Sequence, residues 1–148
     1  MGVNAPTWQS INAIIKKILN QLQTGNIKVI PGGSDIEIYG DILLRKVFYN
    51  LIDNALRYGG DHLTTIQINH YKQGEILVII VEDDGDGISE EDKKRLFIKG
   101  FGKHTGLGLF LSREILSITG ISIMENGVPG KGARFEITVP SDVWRIPV

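Results

Sequence analysis

The stretch that most constrains the fold runs from residue 50 to residue 58 and reads NLIDNALRY. It lies in a helical run that begins near Asp41, its candidate cap, and stops at the glycine pair Gly59-Gly60. The apolar residues of this run follow the i, i+3, i+4, i+7 spacing of a core-facing stripe and are Leu44, Val47, Phe48, Leu51, Ala55 and Tyr58. The segment is therefore predicted to be an amphipathic helix packed on the core.

Two asparagines and an arginine lie beside that apolar stripe. At about 100° per residue, Asn50, Asn54 and Arg57 fall within about 60° of one another on the helix surface. Asparagine is a mediocre helix former because its side chain competes for backbone hydrogen bonds. A row of two amides and a guanidinium suits a hydrated metal ion and the phosphates that it bridges. A solvated face with incidental asparagines is the alternative interpretation.

Length and composition indicate one soluble globular domain. The chain has 148 residues, of which 42% are hydrophobic and 22% charged, enough to bury a core. Sixteen basic and 17 acidic residues give a net charge of −1, so no nucleic-acid or membrane-surface footprint is expected. The lack of cysteine excludes disulfides, thiolate zinc sites and cysteine nucleophiles. With no signal peptide and no long apolar run, a cytoplasmic location is expected, in a parent protein that can be membrane-anchored.

The elements predicted along the chain interleave helices with pairs of strands. Thr7 is predicted to cap a first helix that ends at Thr24-Gly25, and Ser89 to cap a short acidic helix. Strands are predicted at 27–30, 36–39, 64–71, 75–82, 121–125 and 133–139, with a further helix at 107–119. This order indicates an α+β fold. We expect one mixed, mostly antiparallel sheet with helices on one face, a two-layer α/β sandwich.

The predicted central strand runs directly into the sequence DDGDGI, residues 83 to 88. An ionised carboxylate at a strand end, such as that of Asp83, only accepts hydrogen bonds and so matches an exocyclic amine such as that of adenine. Gly85 and Gly87 would let a flat base approach the backbone closely, and Ile88 could form an apolar wall. A plain acidic turn is the alternative; the carboxylate spacing does not match a calcium loop.

A second glycine-rich segment spans residues 97–106 and precedes the predicted helix at 107–119. The GLG sequence at residues 106–108 opens this helix, whose unpaired N–H groups and dipole favour an anion. Thr105 can add a hydroxyl donor and Lys103 a mobile charge. His104 either contacts the phosphates or is exposed to solvent. The segment matches neither the Walker sequence nor the dinucleotide fingerprint, so by itself it indicates only a phosphate cradle.

Together, the order and spacing of these segments resemble the GHKL superfamily, and most of all the ATP-binding catalytic domain of histidine protein kinases. The matching segments are Asn50-x-x-x-Asn54-Ala55-x-Arg57-Tyr58 (N box), Asp83-x-Gly85-x-Gly87 (G1 box), Phe97 and Phe101 (F box), Thr105-Gly106-Leu107-Gly108-Leu109 (G2 box) and the hairpin Gly130-x-Gly132-Ala133-x-Phe135. The resemblance extends from about Trp8 to Pro140, nearly the whole chain.

The resemblance implies a Bergerat-type sandwich that holds Mg-ATP between the asparagine helix and a flexible lid at 97–105. Asp83 would bind the adenine amino group, and Asn54, with Asn50, would ligate or orient Mg²⁺. Arg57 stands where the family usually has lysine and would contact phosphate. The full set of ATP-binding residues implied is Asn50, Asn54, Arg57, Tyr58, Asp83, Gly85, Gly87, Ile88, Lys103, His104, Thr105, Gly106, Leu107, Gly108 and Leu109.

The resemblance also implies a reaction in which the γ-phosphate of ATP passes to a histidine on a separate dimerisation domain. None of His62, His70 and His104 lies in an amphipathic helix beside an acidic residue. Residues 1–148 are therefore expected to be a single, excised or stand-alone domain without its own phosphoacceptor. Its expected partners are ATP, a dimerisation domain in cis or in trans, and a response regulator. The alternatives are an anti-sigma-type serine kinase, another GHKL ATPase module, and a non-catalytic nucleotide-binding domain.

Overall fold

The computed structural model describes residues 5–100 and 108–148. In chain order the elements are β1 (Thr7–Ser10), α1 (Ile11–Gln21), β2 (Lys28–Ile30), β3 (Glu37–Gly40), α2 (Leu44–Tyr58), β4 (Thr65–Gln73), β5 (Ile76–Asp83), α3 (Glu90–Lys93), α4 (Gly108–Ser117), β6 (Ser122–Glu125), β7 (Arg134–Val139), a 3-10 turn (Ser141–Val143) and β8 (Trp144–Arg145). The main sheet has the order β2-β4-β5-β7-β6, in which only the β2–β4 pair is parallel. The expected mixed, mostly antiparallel α+β sandwich is confirmed.

The central strand β5 is almost continuously apolar, and the side chains on both of its faces are buried. Leu77, Ile79 and Val81 point into one core together with the buried faces of α1, α2 and α4. On the other face Val78 and Ile80 are only 2% and 7% exposed. The strand ends at Asp83, so its last side chain emerges on the helix side of the sheet.

Helix α2 packs on this core as its apolar spacing predicts. Its buried residues are Leu44, Val47, Phe48, Leu51, Ile52 and Ala55. The expectation that Tyr58 belongs to the core stripe is wrong, because its side chain sits at the last turn and is 47% exposed. Asp41 does not cap the helix either; its carboxylate accepts a hydrogen bond from the Leu43 N–H at 3.2 Å, before α2 begins.

The beginning of the chain differs from the sequence-based expectation. Residues 7–10 form a strand, and α1 begins after Ser10, whose hydroxyl accepts a hydrogen bond from the Ala13 N–H at 3.0 Å. Ser10 rather than Thr7 is therefore the cap. The cause is long-range pairing: β1 lies antiparallel to β3, and the ring centroids of Trp8 and Tyr39 are 5.3 Å apart. The Ser89 cap is confirmed, since its hydroxyl accepts from the Asp92 N–H at 3.1 Å.

A second, three-stranded sheet of order β1-β3-β8 accompanies the main sheet, where one sheet was expected. Its third strand is only two residues long and pairs with β3. The Arg145 guanidinium stacks 4.1 Å from the Trp8 ring centroid, and its Nε lies 2.6 Å from a Glu37 carboxylate oxygen. These contacts join the two ends of the chain. None of the helices within 5–100 and 108–148 is long and apolar enough to cross a membrane.

Candidate functional site

A cavity of about 660 Å³ lies between α2 and the end of β5. It is lined by Leu51, Asn54, Ala55, Tyr58, Gly59, Val81, Asp83, Gly87, Ile88, Ser89, Asp92, Leu96, Leu109, Ala133 and Phe135. The volume falls in the range of sites for small ligands, which are mostly apolar with a few convergent polar groups. Asp83 and Asn54 are such polar groups here, one at the end of the sheet and one on the facing helix.

Asp83 is held in one orientation by two backbone donors. Its Oδ1 accepts hydrogen bonds from the Gly85 N–H at 2.9 Å and from the Ala133 N–H at 3.2 Å. Burial raises the pKa of Asp83 above its ordinary value, while the two N–H groups act in the opposite direction. With Oδ1 engaged by the backbone, Oδ2 is the oxygen positioned to accept a hydrogen bond from a ligand.

The backbone around Asp83 is packed too closely for larger residues at two positions. A Cβ on Gly85 would lie 2.5 Å from the carbonyl oxygen of Gly59 at the end of α2. Gly132 has φ +132°, and a Cβ there would lie 1.9 Å from the Asp83 carbonyl oxygen. Gly85 therefore supports the expected site by packing beneath it, whereas Gly87 lines the cavity directly.

The neighbouring carboxylate, that of Asp84, has a structural role outside the cavity. It accepts hydrogen bonds from the Thr64 N–H at 2.8 Å and the Thr65 N–H at 3.0 Å, and from the Thr64 hydroxyl. Although its slight burial raises the pKa of Asp84, these hydrogen bonds hold it below its usual value. Of the consecutive acidic pair, only Asp83 faces the cavity.

The N-box residues occupy three different environments. Asn54 and Tyr58 line the cavity. Asn50 turns its amide nitrogen to the start of α4, 3.2 Å from the Gly108 carbonyl oxygen and 3.4 Å from the Ser112 hydroxyl. Arg57 does not line the cavity; its Nε forms an ion pair with Asp53 at 2.9 Å, and its side chain is 49% exposed. The expected phosphate contact of Arg57 and metal contact of Asn50 stay predictions.

The expected lid and G2 box are described only at their edges. Lys103, His104, Thr105, Gly106 and Leu107, together with Phe101, lie outside the described residues. Gly108 is the first residue of α4, and Leu109 lines the cavity.

At the other edge of this segment the Phe97 ring is anchored on the domain. It lies edge-on to Phe135, with centroids 6.5 Å apart, and 4.3 Å from the Arg113 guanidinium carbon. The segment outside the described residues thus begins after a side chain packed on the domain and ends at α4.

Sequence reasoning missed several residues of the cavity wall as site residues. They are Leu51, Ala55, Gly59, Val81, Ser89, Asp92, Leu96, Ala133 and Phe135. The most informative is Ala133, which contributes a backbone N–H to Asp83 from a hairpin 50 residues away. The glycine-flanked hairpin loop was the only signal in the sequence for this contact.

The oxygen ligands that the cavity offers fit a magnesium ion that arrives with a phosphate ligand. Within the ranges that the structure describes, no group of three or more His, Cys, Asp or Glu side chains could hold a metal by itself. Mg²⁺ is commonly bound by only one or two protein oxygens together with substrate phosphates and water. The amide oxygen of Asn54, which lines the cavity, can act as a metal ligand of this kind.

The amino-acid sequence is similar to those of known proteins. The model of a family described as "Histidine kinase-, DNA gyrase B-, and HSP90-like ATPase" matches residues 40–143. The adaptive-response sensory kinase SasA of Crocosphaera subtropica is 39% identical over 122 residues, covering 75% of this chain and 30% of that protein. The sensor histidine kinase WalK of Bacillus subtilis is 30% identical over 151 residues, covering 90% of this chain and 24% of that protein. The chain thus spans less than a third of these relatives.

Solved structures show the same fold. The mycobacterial sensor histidine kinase MprB superposes with a TM-score of 0.79 at 16% identity, over 92% of this chain and 97% of that one. The catalytic domain of histidine kinase ThkA gives a TM-score of 0.76 at 23% identity, over 93% of this chain and 97% of that one.

Proposed function

This chain belongs to the histidine kinase-, DNA gyrase B- and HSP90-like ATPase family, as a histidine kinase ATPase domain, and from that premise we propose how its cavity works. The cavity binds Mg-ATP and presents the γ-phosphate to a histidine of a separate dimerisation domain. The parent is a two-component sensor kinase that passes the phosphoryl group to a response regulator. The domain faces the cytoplasm and makes no direct contact with membrane or nucleic acid.

The observation that carries the proposal is the oriented carboxylate of Asp83. A partly buried acceptor with one oxygen held by the Gly85 and Ala133 N–H groups suits the adenine amino group. The apolar residues Leu51, Val81 and Ile88 line the same cavity and suit the faces of a flat base. A base that lacks the amino group would leave the Asp83 carboxylate desolvated without a partner, so the same geometry supports selectivity for adenine.

The phosphates would lie toward Asn54 and the start of α4. Asn54, with Asn50, would hold Mg²⁺, which would neutralise charge on the phosphates during transfer. The residues implied by the resemblance for the phosphate cradle are Lys103, His104, Thr105, Gly106, Leu107 and Gly108. Phosphoryl transfer requires positioning and electrostatic stabilisation and no covalent intermediate on this domain. The bond from the γ-phosphorus to ADP oxygen breaks as a bond to the acceptor nitrogen forms, and ADP leaves.

The phosphoacceptor belongs to another domain in this proposal. His70 lies on β4, with Nε2 2.9 Å from the Ser34 carbonyl oxygen, and His62 lies in an exposed loop, 3.5 Å from Asp86. Neither is on a helix that could present it to the cavity of a second domain. We propose that residues 1–148 act as one nucleotide-binding domain, with the dimerisation domain supplied in cis or in trans.

The test combines the domain, γ-labelled ATP and Mg²⁺ with the isolated dimerisation domain of a homologous sensor kinase. We expect acid-labile, base-stable label on the acceptor, as for phosphohistidine, and much less label with the Asp83→Asn domain at an ATP concentration below the dissociation constant of the parent. Acid-stable label on a small protein partner would instead support an anti-sigma-type serine kinase. Steady release of labelled phosphate by the domain alone would support another ATPase module of the superfamily, and nucleotide binding without either reaction a non-catalytic domain.

A further inference from the structure

The contact between α2 and α4 includes a buried hydroxyl to which no role has been assigned. We infer that Ser112 is a positioning residue that orients the Asn50 amide, so that the carbonyl oxygen of Asn50 faces the metal and phosphates of the bound nucleotide. This inference rests on the proposed binding of Mg-ATP. It concerns a residue outside the recognised boxes, and it makes a separate, measurable claim about the role of magnesium.

Ser112 is fully buried, with 0% of its surface exposed, on the face of α4 that meets α2. Its hydroxyl donates a hydrogen bond to the Gly108 carbonyl oxygen at 2.8 Å. The amide nitrogen of Asn50 donates to the same carbonyl oxygen at 3.2 Å and lies 3.4 Å from the Ser112 oxygen. Three polar groups from two helices therefore meet at the first residue of α4.

This arrangement favours one orientation of the Asn50 amide, in which every donor meets an acceptor. A serine hydroxyl has a single proton, and that of Ser112 is used on Gly108. Toward Asn50 the Ser112 oxygen can therefore only accept, and the Gly108 carbonyl also only accepts. The –NH₂ group of Asn50 satisfies both, whereas a flipped amide would turn its oxygen toward two acceptors. Such a mismatch is unfavourable, because Ser112 is fully buried and Asn50 and Gly108 are partly buried, so water can replace the two lost hydrogen bonds only in part.

The fixed orientation matters because only the oxygen of an amide can ligate a cation. With the nitrogen held against α4, the oxygen lies on the opposite branch of the side chain. Asn50 is one helical turn before Asn54, which lines the cavity. Groups that orient metal ligands in this way affect metal affinity although they never touch the metal. Ser112 would act on magnesium through Asn50.

A purely structural explanation makes a different prediction. Serine hydroxyls inside helices often bond the carbonyl four residues earlier, as Ser112 does with Gly108. If that local bond were its whole role, Ser112→Ala would change the stability of α4 and leave the magnesium dependence of nucleotide binding as it was. The two explanations therefore separate in a binding titration.

The experiment titrates a fluorescent ATP analogue into the whole chain at a series of Mg²⁺ concentrations. For Ser112→Ala we expect parental affinity without Mg²⁺, and a rise of about 10-fold in the Mg²⁺ concentration that gives half of the magnesium effect. Ser112→Thr, which keeps the hydroxyl, should restore the parental dependence. Ser117→Ala is the matched control, because this exposed serine lies on the same helix and donates only to the Glu114 carbonyl oxygen.

A double variant tests whether Ser112 acts through Asn50. We expect Asn50→Ala combined with Ser112→Ala to require the same Mg²⁺ concentration as Asn50→Ala alone. Additive effects, or a parental magnesium dependence in a folded Ser112→Ala protein, would overturn the inference while leaving the proposed function intact. A parent chain that binds no nucleotide, or binds it without any effect of Mg²⁺, would contradict the proposed function itself. Thermal unfolding of each variant confirms that it is folded.

Discussion

Replacing Asp83 by asparagine changes the atom that the cavity offers to the base. The side-chain oxygen of the new asparagine would stay with the Gly85 and Ala133 N–H groups, which can only donate. Its –NH₂ group would then occupy the position of Oδ2 and face the amino group of adenine. An acceptor would thus be replaced by a donor opposite a donor. The variant is nearly isosteric, so the shape of the cavity is kept.

The expected magnitude follows from the lost hydrogen bond. Losing a partly buried hydrogen bond to a charged group costs about 1–3 kcal/mol, which is about a 5- to 150-fold loss of affinity for ATP. Folding should not suffer equally, because burial raises the pKa of Asp83 and thus disfavours its charged form in the folded protein. The free energy of unfolding of the variant should equal or exceed that of the parent at neutral pH.

The assay compares the dissociation constants of ATP and of inosine triphosphate, which lacks the amino group, for parent and variant. We expect the parent to prefer ATP and Asp83→Asn to lose most of that preference. Asp84→Asn is the matched control, since Asp84 bonds Thr64 and Thr65 outside the cavity. An Asp83→Asn domain with parental ATP affinity and parental discrimination would refute the assignment of the adenine site.

Three further predictions concern the protonation of Asp83, the role of Asn54 and a buried ion pair between Lys93 and Glu125. Lowering the pH should weaken ATP binding as Asp83 takes up a proton. Because burial raises the pKa of Asp83, this loss of affinity should begin at a higher pH than for an ordinary carboxylate. An ATP affinity that stays constant down to the ordinary carboxylate range would contradict this. Asn54→Ala should reduce the gain in affinity on adding Mg²⁺, and an equal gain in parent and variant would remove Asn54 from the metal site. Lys93→Met leaves the Glu125 carboxylate, 1% exposed and 2.8 Å from the Lys93 ammonium, without its cation. Urea unfolding should show a loss of about 3 kcal/mol, and a parental stability of this variant would refute the expectation. Adding Glu125→Gln should recover part of the loss, because the amide is uncharged and keeps an oxygen for the Gly127 and Arg134 N–H groups.

Elements whose residues contact one another locally could be predicted from the sequence. The stripe of α2, the alternation of β4 and the apolar run of β5 follow from periodicity, and the Ser89 cap follows from a motif of four residues. Residues 7–10 were misassigned because Trp8 also fits helical spacing with the residues after it. Its contact with Tyr39, which favours a strand, depends on pairing with a segment about 30 residues away. The two-residue strand β8 is too short for any periodic signal.

For the site, the chemical groups were predictable and their surroundings were not. The role proposed for Asp83 follows from its place at the end of an apolar strand. The Ala133 N–H that orients it depends on the register of β5 against β7, which pairs Glu82 with Arg134 and is not encoded in any local pattern. Ser112 was missed for a similar reason. Its contact with Asn50 depends on the packing of α4 against α2, and no local sequence pattern indicates that packing.

A crystal structure of the chain with a non-hydrolysable ATP analogue and Mg²⁺ tests the central claim most directly. The account predicts the adenine amino group within hydrogen-bonding distance of the free Asp83 oxygen, and the cation bound by phosphate oxygens together with the Asn54 amide oxygen. A nucleotide seated elsewhere on the domain, or a base whose amino group contacts other residues while Asp83 faces an empty cavity, would contradict it.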